Sequence, residues 1–339
     1  MTSSFHLAPE YGPVSAVLMA LPYAGSDWDY VLDDVLDCYG RIVETLLEQD
    51  KNIQLLMLVK PDSRSKVWAA SLALDEKSRA RLTLIDSVGY DDTWTRDYGP
   101  LSSSSGGRRS YLTCIFNGWG GKYNCIQDNL AAGKLAPWLG STVASYDLVV
   151  EGGALEVNGQ GVLLANADCI VDAHRNGAKT RAELETELKK LFGLERIEWV
   201  NNINLTGDDT DGHIDTIARF VADDLIVACG RNPQHPDAEQ LESLYSQLSL
   251  ICERNYWQLV ELPVPQVRSR VDQRLLPATY ANFLICNRTL LLPVYGAEED
   301  ERATDMLREL LPQLQVVPVD CSALVEQHGS LHCATMQIA

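Results

Sequence analysis

The polar residues of this chain concentrate in four short motifs. They are Trp94-Thr95-Arg96-Asp97-Tyr98-Gly99-Pro100, Glu151-Gly152-Gly153, Gly207-Asp208-Asp209-Thr210-Asp211-Gly212-His213-Ile214-Asp215 and Gly329-Ser330-Leu331-His332-Cys333. The first three each precede a segment that alternates and turns, and the fourth closes the chain. If equivalent positions converge, Asp97, Glu151, His213, Asp215 and Cys333 meet in one pocket. That set is chemically coherent. A thiolate is a strong nucleophile, and a histidine can act as general acid and base. Carboxylates complement the planar, forked donors of a guanidinium. Peptide hydrolysis passes through an oxyanion, which a ring of carboxylates would repel. A cationic carbon is the better target, so these residues point to guanidine chemistry.

The elements that must position them form a repeat. Ala154–Asn166 alternates and turns at Asn158-Gly159, a hairpin signal. Ile217–Cys229 turns at Asp223-Asp224, and Ala281–Val294 turns near Asn287-Arg288. These three hairpins begin at intervals of roughly 60 residues, a spacing typical of repeat architectures. Pro100–Phe116 forms another hairpin, with the serine-rich stretch Ser102–Gly107 at its tip. Helical periodicity follows over Thr180–Phe192, Asp237–Tyr256 and Glu298–Leu311, and Val31–Glu48 opens the chain in the same way. Short β-rich runs come next: Ile53–Val59, Ile197–Val200, Trp257–Leu262 and Leu314–Val319. The rhythm of hairpin, helix and strand recurs about five times, with one unit split between the chain ends. Units of this kind cannot bury their apolar faces alone, and a closed ring leaves none at an open end. The expectation is an α/β ring forming a single domain over residues 1–339.

Composition narrows the function. The net charge of -19 and the lack of a basic stripe exclude a nucleic-acid partner. The same field attracts a small cation. The nine cysteines are scattered and never form a C-x-x-C pair, which argues against a disulfide framework or a zinc site. No apolar run is long enough to span a bilayer, and the N-terminus lacks the features of a secretory signal. A soluble, cytoplasmic protein is expected.

Taken singly, several residues have plainer uses. Asp97 could pair with Arg96, and Glu151 could be a turn residue. The acidic run Asp208, Asp209 and Asp211 lacks EF-hand spacing and suits capping or turn formation. His332, next to Cys333, would point the opposite way in a strand and is expected to be structural. Trp119 suits packing or channel lining equally. His174, His235 and His328 carry no functional expectation.

Together the four motifs resemble those of the agmatine deiminase and bacterial peptidyl-arginine deiminase family. Phe116-Asn117-Gly118-Trp119-Gly120-Gly121-Lys122 and the stretch from Leu21-Pro22 to Asp27-Trp28 are similar to further family blocks. The resemblance spans nearly the whole chain. It implies the pentein fold, a propeller-like ring of five ββαβ-type modules with pseudo-fivefold symmetry. It also implies Cys333 as nucleophile and His213 as general acid/base. Asp97 and Asp215 would bind the guanidinium, with Glu151 beside the histidine helping to hold it. Trp94 would line the substrate channel. Tyr98, Thr216 and Ser330-Leu331 depart from the family's common Thr, Asn and Asn-Ile.

The expected reaction is hydrolysis of agmatine to N-carbamoylputrescine and ammonia, a step of putrescine formation. Free or C-terminal arginine is the alternative substrate, and amidinotransfer the alternative reaction. No metal or organic cofactor is implied, and family analogy suggests a homodimer. Agmatine is favoured over arginine because the motifs are acidic and offer no partner for an α-carboxylate. Arg96 would be turned away by strand alternation, whereas Arg268 and Arg270 could reach the channel.

Overall fold

The computed structural model describes residues 5–103 and 109–339. Its strands fall into five sheets among the described residues. Four of them share one pattern, an antiparallel pair followed by a parallel third strand. Leu101–Ser102, Tyr111–Ile115 and Val143–Val149 form one. Glu156–Val157, Val162–Asn166 and Arg196–Val200 form the next. Ala218–Ala222, Leu225–Cys229 and Gln258–Leu262 follow, then Leu284–Cys286, Thr289–Val294 and Gln315–Asp320. The hairpins expected at Asn158-Gly159, Asp223-Asp224 and Asn287-Arg288 are present. Of the serine-rich tip, residues 104–108 lie outside the described residues.

A parallel strand must be reached by a crossover, and one long helix supplies it in three of the four units. Arg181–Phe192 illustrates why these segments are helical. Thr180 and Glu183 close a reciprocal capping box, and Gly193 ends the helix at a φ of +65°. Leu184, Leu188 and Leu191 are buried on one face. Each fully buried leucine contributes about 1.5–3 kcal/mol, more than the helix gains from propensity. Ala238–Asn255 and Asp300–Leu310 play the same part in the following units. After Tyr111–Ile115 the crossover is broken into short turns, Gly118–Gly121, Asp128–Lys134 and Ala136–Leu139. Its glycines deny it the long periodic face that marks the other helices.

The remaining sheet joins the two ends of the chain. Met336–Ile338 pairs antiparallel with Ala16–Ala20, in the register Ala16 to Ile338 and Leu18 to Met336. Gln54–Leu58 and Leu82–Ile85 add in parallel, with helix Leu32–Gln49 as the first crossover. This clasp matters for the site, because Cys333 stands three residues before the C-terminal strand. Thr95 Oγ1 donates to the carbonyls of Leu18 and Ala334, both at 3.1 Å, tying the first motif to the last.

Two expectations about local geometry fail. His332 and Cys333 lie in a turn rather than a strand, so alternation does not separate their side chains. Arg96 lies in a helical turn, Thr95–Tyr98, again without alternation. Its side chain nevertheless leaves the pocket, donating to Glu10 Oε1 at 2.7 Å and pairing with Gln337.

Candidate active site

The three motif segments that precede hairpins are short, and their residues Asp97, Glu151, His213 and Asp215 are buried and close together. Asp97 sits in the turn Thr95–Tyr98. Its Oδ1 accepts from the backbone N–H of Gly153 at 2.9 Å, and its Oδ2 accepts from Trp119 Nε1 at 2.9 Å. His213 Nδ1 lies 3.5 Å from Asp97 Oδ1. The Glu151-Gly152-Gly153 motif now has a steric reason. A Cβ on Gly153 would come within 2.6 Å of His213 Nδ1 and 2.8 Å of Asp97 Oδ1, and one on Gly152 within 2.1 Å of the Arg96 carbonyl oxygen. The glycines let two motifs close on a third.

His213 is held by its loop. Asp208 accepts from the Thr210 hydroxyl at 2.6 Å and from the Gly212 N–H at 2.7 Å, as a turn former. Thr210 Oγ1 in turn accepts from the N–H of His213 at 3.1 Å. Two residues on, Asp215 Oδ2 lies 2.6 Å from His332 Nδ1 and 3.7 Å from Cys333 Sγ. The first, third and fourth motifs therefore converge as expected. Cys333, His213, Asp97, Asp215 and Glu151 are all buried.

Glu151 lies beside the histidine, as the resemblance implies, and has a further partner. Both its carboxylate oxygens accept from Arg175 Nε, at 2.8 and 3.1 Å. It lies close to His213 and Cys169, but its charge is already paired. Arg175 also donates to Asp211 Oδ2 at 2.8 Å and to the Thr210 carbonyl at 3.0 Å, so it braces the histidine loop. Arg175 carries no motif in the sequence, and nothing there could have singled it out.

Asn282 was also missed. Its Nδ2 lies 3.3 Å from Cys333 Sγ, and its Oδ1 accepts from the His332 N–H at 3.1 Å. It stands just before a hairpin, the same place in the repeat as the three motifs, and that position was the signal to follow. Trp119 does more than pack. It adopts a φ of +55° in a glycine-rich turn, which aims its indole N–H at Asp97. Trp94 packs on Trp28 at 5.6 Å between ring centroids and lines the cavity.

Burial and charge set the protonation states. Burial pushes Asp97 up to about 6, against the pull of His213, with Asp215 and Glu151 adding to the rise. Burial lowers His213, but Asp97, then Cys169 and Glu151, outweigh it and hold the imidazole well above its ordinary pKa. Burial, then Asp215 and Asp97, drive the Cys333 thiol well above its usual range. Asp215 moves down: burial opposes this, but the hydrogen bond and charge of His332 prevail. Among the described residues, both ring nitrogens of His213 and Oδ1 of Asp215 are buried without a hydrogen-bond partner. Buried polar atoms left without partners are costly unless a ligand satisfies them.

Asp97 and Cys333 stand at the floor of a cavity of about 550 Å³, its open mouth included; His213 and Asp215 are buried beside them and do not line it. Asp97, Cys333, Trp94 and Trp119 line the inner part, and Asp27, Asp92 and Asp209 the outer part. Among the described residues, no Lys or Arg lines it. The second arginine question of the sequence is thereby answered. Arg268 is exposed and donates to the Gln273 carbonyl, and Arg270 is exposed near Asp34; neither lines the cavity.

A crystal structure provisionally named a peptidyl-arginine deiminase is 33% identical, with a TM-score of 0.91 and 99% of each chain covered. A Cys-to-Ser variant of C. jejuni agmatine deiminase, solved with substrate bound, is 29% identical, with a TM-score of 0.89 over 98% of this chain and 96% of that one. A Vibrio parahaemolyticus protein provisionally named agmatine deiminase is 29% identical over 98% of this chain and 96% of its own. Residues 6–339 match the Porphyromonas-type peptidyl-arginine deiminase family, and the chain belongs to that family.

Proposed function

We propose that this protein is an agmatine deiminase, converting agmatine to N-carbamoylputrescine and ammonia and so serving putrescine formation. The relatives named agmatine deiminase support the reaction class. The observation that carries the substrate choice is the cavity lining, with a thiol and a carboxylate at the floor, carboxylates at the mouth and no fixed cation among the described residues. Agmatine is positive at both ends. Arginine would bring an α-carboxylate to Asp27, Asp92 and Asp209. His328 also lines the mouth, but its Nδ1 is occupied by the Gly207 carbonyl at 2.7 Å.

In this reading the guanidinium lies between Asp97 and Asp215 and satisfies Asp215 Oδ1. Its positive charge offsets the two carboxylates that keep the Cys333 thiol protonated, so substrate binding favours the thiolate. Sulfur bonds to the guanidinium carbon. His213, as imidazolium, gives its proton to the departing nitrogen, and the C–N bond breaks to release ammonia. Neutral His213 then takes a proton from water as the oxygen adds to the thiouronium carbon, and the C–S bond breaks. One water is consumed. The remaining hydroxyl proton passes to solvent, where the released ammonia takes one up as ammonium; the urea leaves, and the thiolate and imidazolium are restored. Glu151, paired with Arg175, holds the histidine environment rather than the substrate.

The proposal takes the five sheets as modules of a pentein ring with pseudo-fivefold symmetry, one catalytic domain over residues 1–339. Their shared topology and the joining of both chain ends in one sheet support this. A cytoplasmic homodimer without cofactor is part of the same reading. The test is incubation with agmatine, arginine and a peptide ending in arginine, measuring ammonia and ureido product. Agmatine should lead by at least ~10²-fold in kcat/KM, about 2.7 kcal/mol of discrimination. Comparable turnover of arginine or the peptide would remove the agmatine assignment.

A further inference from the structure

The contacts on the far side of Asp215 continue away from the cavity. Asp215 Oδ2 meets His332 Nδ1 at 2.6 Å, and His332 Nε2 meets Glu10 Oε2 at 2.6 Å. Glu10 is held in turn. Its Oε1 accepts from Arg96 at 2.7 Å, and its Oε2 is paired with Arg219. Arg219 also donates to Glu156 at 2.6 Å and to the Phe283 carbonyl at 2.7 Å. Glu10 comes from the segment that precedes the first strand. That segment is fastened on both sides, by the Leu7 N–H to the Phe192 carbonyl at 3.0 Å and by the Ala8 N–H to the Ser102 carbonyl at 2.9 Å. Glu10 is therefore a fixed carboxylate beneath the site and not part of a frayed end.

We propose that Glu10 is a positioning residue for substrate binding: through His332 it fixes the Asp215 carboxylate so that Oδ2 is engaged from below and Oδ1 faces the guanidinium. This rests on the guanidine-hydrolase reading above. The geometry carries it. Asp215 Oδ1 is buried and unpartnered while Oδ2 has a short, directed contact. A carboxylate held by one oxygen presents the other in a defined plane, which a bidentate ligand requires.

The proton inventory supports the link. Both ring nitrogens of His332 face carboxylate oxygens, and an ionised carboxylate only accepts. A neutral imidazole donates through one nitrogen, so both contacts are hydrogen bonds when the ring carries two protons. The surrounding charges compete. Burial, then Arg219 and Arg96, pull the His332 pKa down and outweigh Glu10 and Asp215, which pull it up, so the net shift is below the ordinary histidine value. Glu10 itself stays ionised: burial opposes this, but Arg96, His332 and Arg219 together hold it well below the ordinary carboxylate range. A carboxylate oxygen at 2.6 Å on each nitrogen nevertheless calls for two donors, so the geometry is that of an imidazolium bridging two carboxylates against the net downward pull.

The experiment compares Glu10→Asp, Glu10→Gln, His332→Asn and the Glu10→Gln/His332→Asn double variant by steady-state kinetics with agmatine. Glu10→Asp keeps a negative charge for Arg96 and Arg219 but withdraws it from His332, so it carries the test if Glu10→Gln does not fold. His332→Asn retains a donor near the Nδ1 position and cuts the link to Glu10. Each Glu10 variant should raise KM by about 10-fold with kcat changed by less than about 3-fold, the mark of lost binding shared by ground and transition states. The Glu10 change should add nothing in the His332→Asn background, as expected of two residues acting through one path. Unchanged KM in a folded Glu10 variant, or fully additive effects in the double variant, would overturn the proposal. Imidazole nitrogen NMR of His332 supplies an arm that needs no turnover. Wild type should show both ring nitrogens protonated, and Glu10→Asp should show one; a singly protonated ring in wild type also overturns the proposal. If wild type hydrolysed no guanidine at all, the functional reading would fall, and the NMR arm would still decide the Glu10–His332 link.

Discussion

Replacing Arg175 with leucine separates the cost of a buried charge from the loss of chemistry. The Arg175 side chain and the Glu151 carboxylate it pairs with are each 0% exposed, at 2.8 Å. Leucine fills part of the space but leaves Glu151 without its counter-charge. Breaking a buried pair from one side costs about 3–5 kcal/mol, most of it the desolvation of the partner left behind. For a chain of this size that corresponds to a fall of roughly 6–15 °C in Tm, taking about 2–3 °C per kcal/mol. The variant also frees the Thr210 carbonyl and Asp211, which Arg175 holds at 3.0 and 2.8 Å, so the loop carrying His213 loosens and kcat falls. Thermal and urea unfolding measure the first effect, and steady-state assays on agmatine the second. The double variant Arg175→Leu/Glu151→Gln removes the stranded charge. It should recover at least half of the lost stability and none of the lost activity, because the loop stays unbraced. A loss under about 1 kcal/mol in the single variant, or no recovery in the double, would refute the reasoning that Glu151 is a charge kept buried by Arg175.

Three further outcomes follow from the site geometry. Cys333→Ser should abolish turnover with the fold intact, and a haloacetamidine should label Cys333 in the wild type; peptide mapping to Cys125 or Cys229 with loss of activity would overturn the assignment. The pH profile of kcat/KM should fall as pH drops through about 6, because Asp97 is pushed up to that value by burial and must be ionised to hold a guanidinium. A profile flat to pH 4.5 would contradict it. Trp119→Phe removes the donor at 2.9 Å to Asp97 Oδ2. A hydrogen bond to a charged group contributes about 1.5–3 kcal/mol, so kcat/KM should fall by roughly 10- to 100-fold, and an unchanged value would return Trp119 to a packing role.

The amino-acid sequence by itself determined the local elements and singled out the groups proposed to react. Turn pairs such as Asn158-Gly159 and the spacing of Leu184, Leu188 and Leu191 encode hairpin and helix directly, because turn chemistry and helical period are short-range properties. The motif residues Asp97, His213, Asp215 and Cys333 were legible because each stands in a dense polar run at the same place in a repeat. Only the tertiary structure decided what each group touches. Strand alternation was the wrong rule for Arg96 and His332, since both lie in turns whose form is imposed by the closure of Met336–Ile338 on Ala16–Ala20. Glu151 belongs to Arg175, Asp215 is engaged by His332, and Glu10 reaches His332 from 322 residues away along the chain. Buried charges are expensive alone, so their partners are selected by proximity in space. That proximity is created by packing between distant segments, and no periodicity along the chain records it.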